Sequence, residues 1–224
     1  MVPRIVEVRR NILKKNDVAA AGLRNRFDST GVFVASFVSS PGAGKTSFLE
    51  RTLSRAGASR RVAALVGDLA TECDAERLRR TGVPVHQITT GTVCHLDAEM
   101  VQRALDDWPP AGCDWLFIEN VGNLVCPASY DLGEHLRAVL ISVTEGEDKP
   151  LKYPTIFNTA DLAVITKTDL SAAVGFDRKA LLRNIDHVRP GLEVLEVSAR
   201  TGSGFDEWIA VLEQRAAMVR LGCV

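Results

Sequence analysis

Residues 31–50 read GVFVASFVSSPGAGKTSFLE, an apolar run that leads through a glycine-rich turn into a helical pattern. The run over 31–38 is nearly continuously apolar, which predicts a strand covered on both faces. A glycine-rich turn between a strand and a helix N-terminus is typical of phosphate-binding loops, because backbone N–H groups and the helix dipole favour an anion there. The stretch therefore predicts an α/β fold built around a phosphate loop.

The side chains of this loop suit a nucleoside triphosphate and a divalent cation. Gly44 allows a tight turn, Lys45 offers a cation to the β- and γ-phosphates, and the Thr46 hydroxyl can ligate Mg²⁺. Ser39 stands where the general pattern has its first glycine, but the flanking strand and helix favour the loop over an ordinary glycine-rich turn. The nucleotide contacts expected here are Pro41, Gly42, Ala43, Gly44, Lys45, Thr46 and Ser47.

Short apolar runs alternate with helical patterns along the rest of the chain. Strands are predicted at 31–38, 62–66, 83–88, 115–118, 136–143, 161–166 and 192–197. Helices are predicted at 44–57, 74–81, 96–107, 177–187 and 204–219. This alternation indicates an α/β fold with a doubly wound, mostly parallel sheet, as in P-loop NTPases.

The N-terminal residues form a separate feature. Ile5, Val8 and Ile12 fall at helical spacing, and the turn at 28–31 ends the pattern. We predict an amphipathic helix over 1–30 that packs on a single P-loop domain over 31–224.

Composition and charge exclude several classes of protein. The chain has 224 residues, of which 46% are hydrophobic and 25% charged, as in an ordinary globular protein. Its 27 basic and 28 acidic side chains give a net charge of −1, without the positive excess of a general nucleic-acid binder. The longest apolar run is too short to span a membrane, and charges such as Arg4 and Glu7 interrupt any signal-peptide core. We expect a cytoplasmic protein whose partners include neither nucleic acid nor membrane.

Two short motifs resemble the guanine-binding elements of GTPases. In the first, Asp169 would accept hydrogen bonds from the guanine N1–H and 2-amino groups, a pair that adenine cannot offer. The stem of Lys167 would lie along the base, while Thr166 replaces the commoner Asn. The second motif resembles the SA[K/R] loop that closes over the base, and it consists of Ser198, Ala199 and Arg200. Their order behind the phosphate loop favours GTP over ATP.

Acidic residues after two other strands suit a magnesium ion. Asp68 and Asp74 follow the second predicted strand, although both could instead be helix caps. Glu119 ends the run at 115–118, the position of a Walker B carboxylate, and Gly122 lies where the γ-phosphate would be sensed. We assign catalysis to Lys45, Asp68 and Glu119, and Mg²⁺ binding to Thr46, Asp68, Asp74 and Glu119. No glutamine follows Gly122 to orient water, so we expect slow turnover used as a switch.

A cluster of soft ligands is predicted beside this nucleotide site. Cys94 and His95 are adjacent, and Cys126 follows the strand that ends at Glu119. The common interpretation of such residues is a buried thiol or a hydrogen-bonded imidazole. Both segments, however, leave the carboxyl ends of predicted strands, where ligands gather in α/β sheets. Thiolate and imidazole are ligands that suit Ni²⁺ or Zn²⁺. Because only three protein ligands are available, we predict a labile site or one shared across a dimer. We expect the segment 119–122 to couple this site to the nucleotide.

The remaining cysteines and histidines are interpreted as structural. An odd number of scattered cysteines argues against a disulfide framework. His86 is predicted at a sheet edge and His135 and His187 at the surface. The thiols predicted to have no function are Cys73, Cys113 and Cys223.

Longer stretches resemble one known family. They are 38–46 (VSSPGAGKT), 67–71 (GDLAT), 91–96 (GTVCHL), 118–127 (IENVGNLVCP) and 143–154 (VTEGEDKPLKYP). Together they resemble the hydrogenase nickel-incorporation GTPases, the HypB family of SIMIBI-class P-loop GTPases, over nearly the whole chain. The resemblance implies a nickel metallochaperone that forms a GTP-dependent homodimer. It also implies work with other nickel-delivery accessory proteins on the large subunit of [NiFe]-hydrogenase.

Some features of that family are missing, and two other hypotheses stay open. No cysteine precedes Cys73 and only four histidines occur, so we expect no tight nickel store. One alternative is a protein that binds nucleotide and metal with negligible turnover. The other is a urease-accessory-type GTPase, whose Cys-Pro-His motif is missing because no histidine follows Pro127.

Overall fold

Seven strands form the centre of the molecule. The computed structural model describes residues 4–69 and 72–222, with side chains from residue 10 onward. The strands are β1 (Phe33–Ser39), β2 (Val62–Asp68), β3 (Val85–Thr89), β4 (Trp115–Glu119), β5 (Leu136–Ser142), β6 (Leu162–Thr166) and β7 (Glu193–Glu196). They pair in parallel in one sheet of order β3-β2-β4-β1-β5-β6-β7. The seven predicted strands are confirmed, each to within two residues at its ends.

Helices lie on both faces of this sheet. They are α1 (Arg4–Thr30), α2 (Lys45–Ala56), α3 (Cys73–Arg79), α4 (Ala98–Asp107), α5 (Lys149–Lys152), α6 (Pro154–Thr159), α7 (Arg178–Val188) and α8 (Phe205–Arg220). The sequence pattern does not predict α5 and α6. Pro150 and Pro154 interrupt that stretch and indicate a loop, yet a proline is accommodated in the first turn of a helix, where both lie.

The core on one face of the sheet is aromatic. Phe48 of α2 packs against Phe37 of β1 and Trp208 of α8, with ring centroids 5.5 and 5.1 Å apart. The indole N–H of Trp208 donates to Thr52 Oγ1 at 3.0 Å, so the one polar atom of this ring is satisfied in the core. These contacts hold α2, the helix that follows the phosphate loop, rigidly against β1.

The N-terminal helix is confirmed, and the structure describes its buried side chains from Asn16 onward. Ile12 is 50% exposed, and the side chains of Ile5 and Val8 lie outside the described residues. The residues of α1 that are buried against the sheet and α4 are Asn16, Ala20, Leu23 and Phe27. Ile12 lies on the same helical face as these residues, one turn before Asn16, so the described burial of this face begins at Asn16. None of the described helices is both long and apolar enough to cross a membrane.

The parallel arrangement brings the loops of the predicted site to one edge. Because every strand runs in the same direction, the carboxyl ends of β1, β2, β4 and β6 lie at the same edge of the sheet. In open α/β sheets this edge is where ligands bind. The phosphate loop, the acidic residues and the guanine motif all leave the sheet here.

Candidate nucleotide and metal site

The phosphate loop connects β1 to α2. Gly42 and Gly44 have φ angles of 78° and 92°, which glycine adopts without a Cβ clash. Gly44 is the N-cap of α2, and Lys45 opens the helix with its side chain only 9% exposed. The start of this helix borders a cavity of about 550 Å³. The lining residues include Pro41, Gly42, Gly44, Lys45, Thr46, Ser47, Asp68, Asp74, Gly122 and Lys167.

Glu119 contacts two residues of this loop from the end of β4. Its Oε1 accepts a hydrogen bond from Thr46 Oγ1 at 2.8 Å and lies 3.3 Å from Lys45 Nζ. Its Oε2 is buried without a hydrogen-bond partner. Burial raises the pKa of Glu119, against the opposing effects of Lys45 and Thr46. An unpartnered buried carboxylate oxygen beside a hydroxyl suits Mg²⁺, so the residues present fit that ion.

Asp68 and Asp74 border the same cavity from a different side. Asp68 Oδ1 accepts a hydrogen bond from the Leu69 N–H at 2.7 Å. Asp74 lies within the first turn of α3, whose N-cap is Glu72. The alternative that either aspartate caps this helix is therefore wrong. Residues 70 and 71, which lie between these two aspartates, are outside the described residues.

A second cavity of about 220 Å³ adjoins the first and contains the predicted guanine motif. Asp169 borders it, and Ser198 Oγ donates a hydrogen bond to Asp169 Oδ1 at 2.6 Å. Arg200 lies 3.9 Å from the other carboxylate oxygen and, like Ala199, lines the cavity. Ser198 itself is buried, so its side chain orients Asp169 from behind.

Thr166 and Lys167 tie this second cavity to the phosphate loop. Thr166 Oγ1 donates to the Ala43 carbonyl at 2.6 Å, and Lys167 Nζ donates to the Gly42 carbonyl at 2.7 Å. Ala43 is fully buried and borders neither cavity. Lys167 has φ of 58°, the left-handed conformation that non-glycine residues rarely adopt. The residue that replaces the commoner Asn therefore fixes the phosphate loop.

The three predicted soft ligands come together in the structure. Single ligand atoms of Cys94, His95 and Cys126 all lie within 4.8 Å of one another, and the two sulfur atoms are 2.9 Å apart. All three side chains are partly buried, and the thiols do not form a disulfide. Two sulfurs and an imidazole at this spacing suit a Ni²⁺ or Zn²⁺ ion with open coordination positions.

The surroundings of His95 favour the form that binds metal. Its ring stacks on Tyr130, with centroids 3.9 Å apart, and its Nδ1 is buried without a hydrogen-bond partner. Burial lowers the pKa of His95, against a smaller opposing effect of Asp97. Because a metal ligand must be the neutral imidazole, this shift makes the ligand available near neutral pH.

Asn120 connects the ligand segment to the nucleotide edge, and the sequence did not indicate it. Its Oδ1 accepts hydrogen bonds from the Leu96 and Val121 N–H groups, each at 2.9 Å. Leu96 follows His95, and Asn120 follows Glu119, so one side chain joins the two sites. Position within the stretch 118–127 was the only available signal, because nothing in the spacing distinguishes Asn120.

The remaining histidines and cysteines differ in part from prediction. His86 lies on the edge strand β3, and His187 is exposed, as predicted. The surface prediction for His135 is wrong: its side chain is 1% exposed, because its Nδ1 accepts from the Val34 N–H and its ring stacks on Phe33. Of the other cysteines, Cys73 is exposed and Cys113 partly buried, and neither belongs to the cluster found among the described residues, while Cys223 lies outside them.

The fold and the phosphate loop define the class of this molecule as a P-loop nucleotide-binding protein. The sequence profile described as "CobW/HypB/UreG, nucleotide-binding domain" matches residues 33–196. The chain is 50% identical over 218 residues to the hydrogenase maturation factor HypB of Azotobacter chroococcum mcd 1. This match covers 97% of this chain and 72% of that relative. The chain therefore belongs to the CobW/HypB/UreG family.

Two solved structures share both the fold and much of the sequence. Hydrogenase maturation factor HypB from Archaeoglobus fulgidus superposes with a TM-score of 0.83 at 40% identity, over 91% of this chain and 99% of that one. HypB from Helicobacter pylori in complex with nickel superposes with a TM-score of 0.85 at 40% identity, over 91% of this chain and 95% of that one. The similarity thus extends over nearly the whole length of both structures.

Proposed function

We propose that this protein is a GTP-binding, slowly GTP-hydrolysing nickel metallochaperone that assists nickel insertion into [NiFe]-hydrogenase. The observation that carries the proposal is the short connection between the residues that suit Mg²⁺ and the residues that suit Ni²⁺. Thr46 and Glu119 pair at the nucleotide edge, and Asn120 joins this edge to the segment of Cys94 and His95. Support also comes from relatives named hydrogenase maturation factor and from one relative solved in complex with nickel.

In this proposal the protein's own residues bind and neutralise the triphosphate. Lys45 and the N-terminus of α2 hold the β- and γ-phosphates, while Thr46 and Glu119 hold Mg²⁺, with Asp68 and Asp74 facing the same cavity. The metal ion supplies charge neutralisation when bound. Gly122 is followed by Asn123 and not by a glutamine that would orient water, so turnover is expected to be slow.

Phosphate release tests whether the protein is an enzyme. Lys45→Ala should abolish GTP hydrolysis, because it removes the buried cation of the phosphate loop, whereas Lys179→Ala on the exposed face of α7 should not change it. Phosphate release by the wild type that equals that of Lys45→Ala would contradict the GTPase assignment. It would favour the alternative of a binding protein with negligible turnover.

Competition between nucleotides tests the guanine assignment. GTP binding should resist excess ATP, because Asp169 pairs with the N1–H and 2-amino groups of guanine alone. In Asp169→Asn the amide can donate to the 2-oxo group of xanthine, so preference should shift from GTP to XTP. Equal competition by ATP in the wild type would remove guanine from the proposal.

Nickel titration tests the metal site. Wild type loaded with GDP or with a GTP analogue should bind Ni²⁺ with different affinities, because the 119–122 segment leads to Cys126. Cys94→Ala should weaken binding strongly, and Cys73→Ala, an exposed thiol outside the cluster, should not. Equal affinity in both nucleotide states would exclude the coupling, and wild-type affinity in Cys94→Ala would exclude the site.

The proposal includes a GTP-dependent homodimer that works in the cytoplasm with the hydrogenase large subunit and other nickel-delivery proteins. A subunit-bridging role near the γ-phosphate is assigned to Lys149 and Lys152. Lys149 lies 3.5 Å from Glu145, and the exposed Lys152 pairs with Asp148 at 2.5 Å. Light scattering should show a dimer with a GTP analogue and a monomer with Lys152→Ala. A Lys152→Ala variant that still dimerises would remove Lys152 from the interface.

A further inference from the structure

One side chain of the N-terminal helix contacts both segments that carry the soft ligands. Asn16 of α1 is only 5% exposed. Its Oδ1 accepts a hydrogen bond from the Ala98 N–H at 2.9 Å, and its Nδ2 donates to the Asp131 carbonyl at 2.9 Å. Ala98 lies three positions after His95, and Asp131 lies five positions after Cys126. The side chain thus spans the two segments just beyond their ligands.

The residues between the two Asn16 contacts and the soft ligands are themselves held by hydrogen bonds and packing. On one side, the Leu96 N–H is bound to Asn120, and Asp97 caps α4 by accepting from the Met100 N–H at 2.8 Å. On the other side, the chain from Cys126 enters a 3₁₀ turn at Pro127–Ser129 and continues into Tyr130, whose ring stacks on His95. A shift of either contact of Asn16 would therefore reach the ligand atoms.

A second residue of α1 fastens the same segment. Arg24 Nη2 donates to both carboxylate oxygens of Asp131, at 2.9 and 3.0 Å. The helix backbone also touches this loop, since a Cβ built on Gly133 would lie 2.8 Å from the Ala20 carbonyl oxygen. The helix and the Cys126 segment are thus joined by a hydrogen bond, an ion pair and direct backbone packing.

We propose that α1 is part of the support of the metal site and that Asn16 is a positioning residue, holding the Cys94–His95 and Cys126 segments at the separation that metal binding needs. This inference rests on the proposed function, because it takes the three soft ligands to bind nickel. Groups that orient metal ligands from outside the coordination sphere typically change metal affinity by about 10- to 100-fold when mutated.

Paired asparagine variants of the full chain test this role. Asn16→Asp keeps an acceptor for the Ala98 N–H but cannot donate to the Asp131 carbonyl. Asn11→Asp makes the same chemical change at an exposed position of the same helix. Titrated with Ni²⁺ alone, Asn16→Asp should bind at least about tenfold more weakly than wild type and shift the thiolate-to-nickel absorption band. Asn11→Asp should match wild type, and both should keep wild-type affinity for a GTP analogue.

Two results of these nickel titrations would overturn the inference. Nickel affinity and an absorption band in Asn16→Asp equal to those of Asn11→Asp would overturn the inference. If Asn16→Asp fails to bind the GTP analogue, a second pair decides: Arg24→Gln should weaken nickel binding, while Arg26→Gln, which loses a pair with Asp106 on α4, should not. Nickel affinity in Arg24→Gln equal to that of wild type would then overturn it.

The same titration separates this inference from the proposed function. Cys94→Ala is measured alongside the helix variants. Wild-type nickel affinity in Cys94→Ala would refute the metal site and the role of α1 together. A loss in Cys94→Ala with no loss in Asn16→Asp would refute only the role of α1.

Discussion

Thr166 shows how one hydroxyl joins the two halves of the nucleotide site. The side chain is 3% exposed, and its bond to the Ala43 carbonyl crosses from β6 to the phosphate loop. In the guanine motif the position is expected to serve the base. Here the contact instead fixes the conformation of the loop that receives the phosphates.

Removal of this hydroxyl should cost both stability and affinity. Thr166→Val preserves the volume but leaves the buried Ala43 carbonyl without its donor, so the free energy of unfolding should fall by about 1–2 kcal/mol. Affinity for GTP should also fall, because the loop loses its anchor. Urea denaturation and nucleotide titration measure the two effects. Thr155→Val, at an exposed position of α6, should change neither by more than about 0.5 kcal/mol.

The cysteines outside the metal cluster should differ sharply in reactivity. Burial raises the pKa of Cys113 to about 12, and its thiol donates to the Trp115 carbonyl at 2.7 Å. At pH 8 a thiol with that pKa is ionised in only about one molecule in 10⁴, and the thiolate is the form that alkylates. Iodoacetamide should therefore label the exposed Cys73 and spare Cys113 in the native protein, as peptide mass spectrometry would show. Comparable labelling of both would contradict this account.

The functional residues that belong to a recognisable sequence pattern could be predicted from the sequence. The phosphate loop follows from a contiguous pattern, and the Cys94–His95 and Cys126 segments follow from strands that end at a common edge. Asn16 could not be predicted, because a single asparagine on a helix has no spacing partner. His135 was misjudged for a related reason: its burial depends on the long-range pairing of β5 with β1, which brings it against Phe33.

Among the elements, α1 offers the clearest test of cooperative folding. Gly22 lies in the middle of this helix, and a Cβ there would meet nothing within 4 Å. Gly22→Ala should raise the free energy of unfolding by about 0.5–1 kcal/mol, since alanine loses less conformational entropy in a helix. Chemical denaturation measures the change. An unaltered midpoint would mean that α1 unfolds separately from the sheet.

A second glycine provides a control of opposite sign. Gly191 has equally open surroundings, but its φ is 77°. Gly191→Ala should therefore destabilise the protein, because a Cβ disfavours the left-handed conformation. If both substitutions raised the free energy of unfolding, the φ angle of the glycine would not determine the sign of the change.

Strands were easier to predict than short helices for a physical reason. Buried parallel strands such as β1 and β5 are covered on both faces and mostly apolar, so their signal is nearly continuous. Helices α5 and α6 are only 4 and 6 residues long, too short for a period to emerge. The sequence did not show where along α1 the burial begins, because Ile12 is 50% exposed although it shares a helical face with the buried Asn16 and Ala20.

At the scale of the whole molecule, the nucleotide should act as a stabilising ligand. The two cavities are lined from the loops after β1, β2, β4 and β6 and the segment after β7, which meet only in the folded state. A GTP analogue with Mg²⁺ at 100 times its Kd should therefore raise the free energy of unfolding by about 2.7 kcal/mol. Urea denaturation with and without the analogue measures this gain. An adenine analogue at the same concentration should give none, and an equal gain would contradict the site.

The position of β1 in the sheet also sets an order of assembly during synthesis. Its two neighbours are β4 and β5, in which Trp115 and Leu136 stand beside Phe33 and Ala35. This strand thus has no partner until β4, which begins at Trp115, has also left the ribosome. Since Asp169 and Ser198 emerge later still, a nascent chain acquires the complete nucleotide pocket only after β7 and Ser198 have been synthesised.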